Sequence, residues 1–378
     1  MNPKEVMKSI PQEILDIKEK KRNNLFKWNG QFSPQLIEAF LDVYSKDYFK
    51  VLDPFSGSGT VLYECARKGI RAFGVDINPA ASKISRIYEL CRISIDHRKI
   101  ILRNFQILSS FFTTTECNAY LFSLKAEDYF SIIIKEALIV LLDDISDINK
   151  YQKKVVDFTT VILGLPFSRK HIKCFNNDCR NIPLKSNSID LIITSPPYVN
   201  VFNYHQQYRK HTEMLGHDIL KIAKSEIGSN RKHRQNRFMT LTQYCQDITL
   251  ALHEMSRVCK KDARIILIVG KVSTIKGVKI HNGDVVKKIA TSLGLEITLD
   301  QTRSFKNKFG QEIVEEIIHL INSNIIKLDV TRFKSIANNT AEGELKKAHN
   351  NSLNKNISNE IRNAINRIEE TISSPIHY

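Results

Sequence analysis

The sequence predicts an α/β fold: a mostly parallel, doubly wound sheet with a C-terminal antiparallel hairpin and a helical insertion. Three observations carry this. Short apolar runs alternate with helical patterns over residues 49–94 and 171–293. Two paired strand patterns near 295–301 and 313–322 flank the turn Lys306-Asn307-Lys308-Phe309-Gly310. Between the two halves, residues 95–170 hold long apolar runs such as YFSIIIKEALIVLLDDI with few turn signals, which read as helices.

The elements follow in order. Residues 1–30 form a basic, partly helical segment ending its charged run at Lys20-Lys21-Arg22. Ser33 and Pro34 open a helix whose apolar positions Leu36, Ile37, Phe40, Leu41 and Tyr44 share one face. Phe49 to Leu52 read as a buried strand, Thr60 to Lys68 as a helix stopped by Gly69, and Arg71 to Val75 as a second strand. Pro79 opens another helix. Further strands are expected at 171–175, 191–194 and 263–270, and helices at 241–259 and 284–293. The organisation is then a basic segment (1–30), a first half (31–94), the insertion (95–170), a second half (171–322) containing the loop 199–240, and a tail (323–378) that is helical in parts and flexible in others. The insertion reads as a packing or lid subdomain.

With 378 residues the chain has room for a sizeable core, and its apolar fraction of 42% is that of a globular protein. The net charge of +16 attracts polyanions, or serves solubility alone. The seven cysteines show no paired two-residue spacing, so neither a zinc site nor a disulfide framework is expected, and a reducing cytoplasm is the simplest setting. No signal-peptide pattern opens the sequence, and no apolar run is long enough for a membrane span.

Two motifs carry chemistry. Asp53-Pro54-Phe55-Ser56-Gly57-Ser58-Gly59-Thr60 follows a strand and opens a helix. Its glycines permit positive φ and close approach of a ligand, and Asp76, at the end of the next strand, stands where a carboxylate accepts ribose hydroxyls. A glycine turn that merely reverses the chain would look similar. No phosphate loop of the Gly-Lys-Ser/Thr type is present. The second motif, Thr194-Ser195-Pro196-Pro197-Tyr198, sits at the C-terminal end of a strand about 130 residues further on.

Together these segments resemble the DNA amino-methyltransferases that use S-adenosylmethionine, over roughly residues 28–90 and 174–322. The resemblance implies a Rossmann-like methyltransferase fold with S-adenosylmethionine as cofactor. Gly57 and Gly59 would lie beneath its methionine part, with Asp53 holding the amino group. Asp76 would bind ribose, and Asp178, ahead of Cys179-Arg180-Asn181-Ile182-Pro183, would bind the adenine amino group. Phe55 belongs to the same turn. Gln31-Phe32-Ser33-Pro34 resembles the family motif that packs on the methionine side, with Phe32 the contact or a core aromatic.

Ser195, Pro196, Pro197 and Tyr198 resemble the catalytic tetrapeptide. An exocyclic amino nitrogen is a poor nucleophile, because its lone pair is delocalised into the ring. An acceptor for its N–H, Ser195 Oγ or the Pro196 carbonyl, localises that pair. The prolines hold the oxygens in place. The base must leave the duplex to be reached, and Tyr198 would stack on it. No Pro-Cys pair is present, which disfavours the cysteine nucleophile of carbon-5 cytosine enzymes.

The stretch Lys221–Arg237 carries six Lys/Arg against one Glu and reads as a loop. Arg231, Lys232, Arg234 and Arg237 are candidates for DNA contact, against the alternative of a solvated basic surface. Phe202, Tyr204 and Tyr208 line either the base pocket or the core. The cofactor motif precedes the catalytic one, unlike many cytosine-N4 enzymes of this family. The resulting expectation is a site-specific cytosine-N4 methyltransferase of double-stranded DNA in a restriction–modification system. Its partner would be a cognate restriction endonuclease, with no metal. Adenine N6 is the second choice, and a guanine-N2 enzyme of RNA the third.

Overall fold

The structure is a computed structural model and describes residues 8–199, 203–229, 233, 235–306, 310–323 and 326–377. Among them runs a seven-stranded sheet in the order β3-β2-β1-β4-β5-β9-β8. Its strands are β1 (Lys50–Asp53), β2 (Arg71–Asp76), β3 (Ile172–Asn176), β4 (Ile189–Thr194), β5 (Cys259–Gly270), β8 (Glu296–Lys306) and β9 (Glu312–Ile321). β1 pairs in parallel with β2 and β4, β2 with β3 and β4 with β5, while β5–β9 and β9–β8 are antiparallel. This is the doubly wound sheet and C-terminal hairpin the sequence predicts.

The central strands are apolar because both faces are covered. Val51, Leu52, Leu191, Ile192, Ile193 and Ile265 to Val269 are all buried. On one face pack α1 (Pro34–Tyr44), α2 (Thr60–Arg67) and α3 (Pro79–Ser85). Asn78 caps α3, its side chain accepting from the Ala80 N–H at 2.9 Å. Ser33 holds the N-cap position of α1, yet its side chain makes no capping bond. The other face carries α8 (Met239–Val258) and α9 (Asn282–Ser292).

The stretch between α3 and β3 contains α4 (Ile95–Gln106), α5 (Thr114–Ser123), α6 (Tyr129–Leu141) and α7 (Ile148–Leu163), which share the first core. Buried Arg98 closes the root of this insertion: its guanidinium donates to the carbonyls of Leu90, Ile162, Leu165 and Pro166.

Two features lie outside the sequence expectation. A two-stranded antiparallel ribbon, β6 (Val272–Ile275) and β7 (Val278–His281), turns at Lys276-Gly277, both with positive φ. After β9, the stretch that reads as a tail is built into the second core. α10 (Val330–Asn350) and α11 (Lys355–Asn366) bury Ala337, Ala341, Leu345, Ala348, Ile361 and Ala364. Residues 371–374 then run back along α8, whose Gln243 and Gln246 side chains donate to the carbonyls of Ile372 and Thr371 at 3.0 and 2.8 Å.

Leu345 is fully buried and Leu353 fully exposed. Leu345→Ala is therefore expected to cost about 2–5 kcal/mol in urea-induced unfolding. Leu353→Ala should stay within about 0.5 kcal/mol of wild type. Equal effects would contradict this placement of α10.

Candidate functional site

β2 and β3 extend the sheet to one side of β1, and β4 and β5 extend it to the other. The switch point therefore lies between β1 and β4, where crevices at the carboxyl ends of parallel strands form. Both chemical motifs emerge there: the glycine turn after β1 and the Ser195 tetrapeptide after β4. They frame a cavity, of the concave kind that small-molecule sites occupy. Phe32, Phe55, Gly57, Asp76, Asp178, Ser195 and Pro197 are in its wall, so motifs more than a hundred residues apart meet in one space.

The turn is built from its own carboxylates. Asp53 Oδ1 accepts the Thr194 hydroxyl at 2.6 Å and the Phe55 N–H at 3.1 Å, which ties the end of β1 to the end of β4. Asp76 Oδ2 accepts the Gly57 N–H at 2.8 Å and Oδ1 the Asn78 N–H at 2.9 Å. Burial pushes both acids up, Asp53 to about 7 and Asp76 to about 6, against the lowering effect of these bonds.

Several predicted residues have other surroundings. Asp53 is buried beneath the turn and is not part of the cavity wall. Gly59 has a φ of +84°, and a Cβ there would meet Tyr88 and Ser85, so it serves packing. Asp178 has both oxygens engaged: Oδ1 accepts the Arg180 N–H and Nε, each at 2.9 Å, and Oδ2 accepts Arg180 Nη2 at 2.6 Å and the His377 N–H at 3.2 Å. An adenine amino group would have to compete with four donors already in place. Pro196 is buried behind the wall.

Tyr198, expected to stack on a base, lies against the sheet. A Cβ on Gly270 would come within 2.7 Å of its ring, and its hydroxyl donates to Glu315 Oε1 at 3.3 Å. The aromatic that faces the cavity from this side is Tyr204. Tyr208 stacks on Trp28 with ring centroids 6.3 Å apart. Phe202, Arg231, Lys232 and Arg234 lie outside the described residues. Arg237 is half-buried just before α8.

Three wall elements went unread in the sequence. Trp28 lies over the turn, where a Cβ on Gly57 would meet its ring at 2.8 Å. The 24–32 segment is fastened there by Thr60 Oγ1 to Asn24 Oδ1 at 3.0 Å and by Ser58 Oγ to Gln31 Oε1 at 2.9 Å. Glu226 and Ile227 come from the basic stretch, whose front half is a short helix (Ile219–Ala223) and a buried turn. Glu226 Oε2 lies 2.7 Å from Nδ1 of buried His205. A lone tryptophan in a basic segment and a glutamate inside a cationic run are signals that could have marked them.

Residues 4–86 match the profile of a family described as DNA methylase. The type II methyltransferase M.AvaI, from Nostoc sp. and from Anabaena variabilis, is 24% identical, with 58% of this chain and 59% of the relative covered. M.MjaII of Methanocaldococcus jannaschii, also a type II methyltransferase, is 35% identical over 24% of this chain and 17% of its own. The chain thus spans less than two thirds of these relatives. A solved S-adenosylmethionine-dependent methyltransferase from Methanosarcina mazei covers 75% of this chain and 97% of its own at 11% identity, with a TM-score of 0.37, too low to build on. The match over residues 4–86 is to the N6/N4 DNA methylases, and it indicates S-adenosylmethionine as the cofactor. The cavity wall suits that molecule: it contains the glycine turn after β1 and a carboxylate at the end of β2. Among the described residues no helix is long and apolar enough to cross a membrane.

Carboxylates raised by burial stabilise the fold when protonated, so that contribution is lost as pH rises through about 6 to 7. Asp53→Asn/Asp76→Asn should therefore gain thermal stability relative to wild type on going from pH 5 to pH 8. A pH-independent difference in calorimetry would refute the burial account.

Proposed function

We propose that this protein transfers a methyl group from S-adenosylmethionine to the exocyclic amino nitrogen of a flipped base in double-stranded DNA, with N4 of cytosine preferred and N6 of adenine second. The observation that carries this is that Ser195, at the end of β4, shares one cavity wall with Gly57 and Asp76 across the switch point. Cytosine is preferred because serine leads the tetrapeptide.

The cofactor supplies an electrophilic methyl group on a sulfonium. The chain's own residues do the rest. Asp76 offers acceptors to the ribose, with Gly57 and Phe32 along the methionine portion. Ser195 Oγ accepts from the base N–H, and Pro197 keeps the backbone fixed at that point. Tyr204 takes the stacking place beside the extruded base, in the position first expected of Tyr198. A basic chain of net charge +16 draws the duplex to the site. Arg237, with Arg231, Lys232 and Arg234, is the proposed phosphate contact. M.AvaI and M.MjaII are named as type II methyltransferases, which supports a restriction–modification setting with a partner endonuclease.

The test is methyl transfer from labelled cofactor to unmethylated DNA, followed by digestion to nucleosides. N4-methylcytosine is expected. N6-methyladenine would move the target to the second base, and label in RNA but not DNA would overturn the reading. Ser195→Ala should lower turnover by on the order of 10²-fold with cofactor affinity unchanged. Asp76→Asn should weaken cofactor binding by about tenfold, the value of one charge-assisted hydrogen bond. Fluorescence of Trp28, the single tryptophan, reports that binding.

A further inference from the structure

A chain of side chains leads from the tetrapeptide to the edge of the sheet. Ser195 Oγ lies 3.5 Å from Tyr198 Oη, and Tyr198 Oη donates to Glu315 Oε1 at 3.3 Å. Arg303 on β8 holds the other oxygen, Glu315 Oε2, with Nε and Nη2 both at 2.7 Å. Sheet register builds this chain: Glu315 of β9 faces Gly270 of β5 and Arg303 of β8. Gly270 leaves the space in which the Tyr198 ring lies, and its neighbour Gly228, with φ +71°, lets the Tyr198 carbonyl pass where a Cβ would stand 2.3 Å away.

The chain has a direction. A carboxylate paired with arginine has no proton to give, so the phenol hydrogen belongs to Glu315. The Ser195 hydroxyl hydrogen then points to Tyr198 Oη, and the lone pairs of Ser195 Oγ are left for the cavity that Ser195 lines. A free serine hydroxyl would rotate between donor and acceptor. This one is held as an acceptor, which is what an amino N–H requires.

We propose that Glu315, clamped by Arg303, is a positioning residue that fixes this direction and receives the proton released by methyl transfer. The inference rests on the methyltransferase reading above. As the amino nitrogen forms its bond to the methyl carbon, the carbon–sulfur bond breaks and its electron pair stays on sulfur. The nitrogen then gives one proton to Ser195 Oγ, Ser195 gives its own to Tyr198 Oη, and Tyr198 gives its own to Glu315. One positive charge on the sulfonium and one negative charge on the carboxylate are lost together, so the step balances. The Glu315 side chain is 13% exposed, which lets water take the proton afterwards.

The decisive variant is Glu315→Gln, whose amide oxygen still accepts from Tyr198 but is not a base. Single-turnover methyl transfer to DNA should slow by on the order of 10²-fold, with DNA KM and the dissociation constant for S-adenosylhomocysteine unchanged. Tyr198→Phe should slow the same step, and the double variant should be no slower than the worse single one. A Glu315→Gln protein with wild-type rate, one that loses cofactor affinity in parallel, or additive penalties in the double variant would each overturn the relay while leaving the methyltransferase reading intact. A wild-type protein that places no label in DNA would remove both.

Discussion

The guanidinium of Arg180 is the point at which four separate stretches of chain are joined. It donates to Asp178 in its own loop, to Asp247 on α8 at 2.7 Å, to the Ser225 carbonyl at 3.2 Å, and to the Ser374 and Pro375 carbonyls at 2.8 and 2.9 Å. All three charged side chains are buried. Burial alone would lower the arginine's affinity for its proton, but the bond to Asp178 and the charge of Asp247 raise it above the usual range. A buried ion cluster is weak evidence for net stability, since desolvation offsets the attraction. Its consequence is positional: without the arginine, two carboxylates would face each other in a dry interior. The turn that carries Glu226 and Ile227 into the cavity wall is held from behind by this cation, and so is the 371–377 strap.

The glycines of the site obey a different logic from the one their motif suggests. Gly57 leaves space for Trp28, Gly59 for Tyr88, and Gly270 for Tyr198. In each case the missing Cβ admits an aromatic ring of the protein. The cavity is shaped by close approach of rings to backbone, and substitutions at these positions act through the rings they displace. The half-built look of the turn, with two glycines where a dinucleotide loop has three, follows from this: it is packed by a tryptophan from outside the motif.

What was legible in the sequence was whatever is local. The β1 turn, β2 and Asp76, and β4 with the Ser195 tetrapeptide each announce themselves within a few residues. Trp28, Glu226 and the course of the residues after β9 gave no such sign, because each is placed by partners far along the chain. Gln243 and Gln246 of α8 hold the 371–372 carbonyls, and nothing in an Asn- and Lys-rich tail foretells that. The β6–β7 ribbon was missed for a local reason: its turn is Lys-Gly, with Lys276 at φ +49°, where asparagine or aspartate would have signalled a hairpin. Asp178 was legible as an acid, while its engagement by Arg180 in the cavity wall is visible only in the fold.

The order of the motifs along the chain is of little consequence to the chemistry, and the sheet explains why. β1 and β4 are hydrogen-bonded neighbours, Val51 opposite Leu191 and Leu52 opposite Ile192. The segments that leave their carboxyl ends therefore start about 4.8 Å apart. Thr194 and Asp53 then join the two ends directly. The four helices of the insertion are routed between α3 and the edge strand β3 and leave this junction untouched. Because the two halves meet by strand pairing, a chain entering at either half would assemble the same cavity. The insertion is thereby free to vary without moving Ser195 away from Asp76.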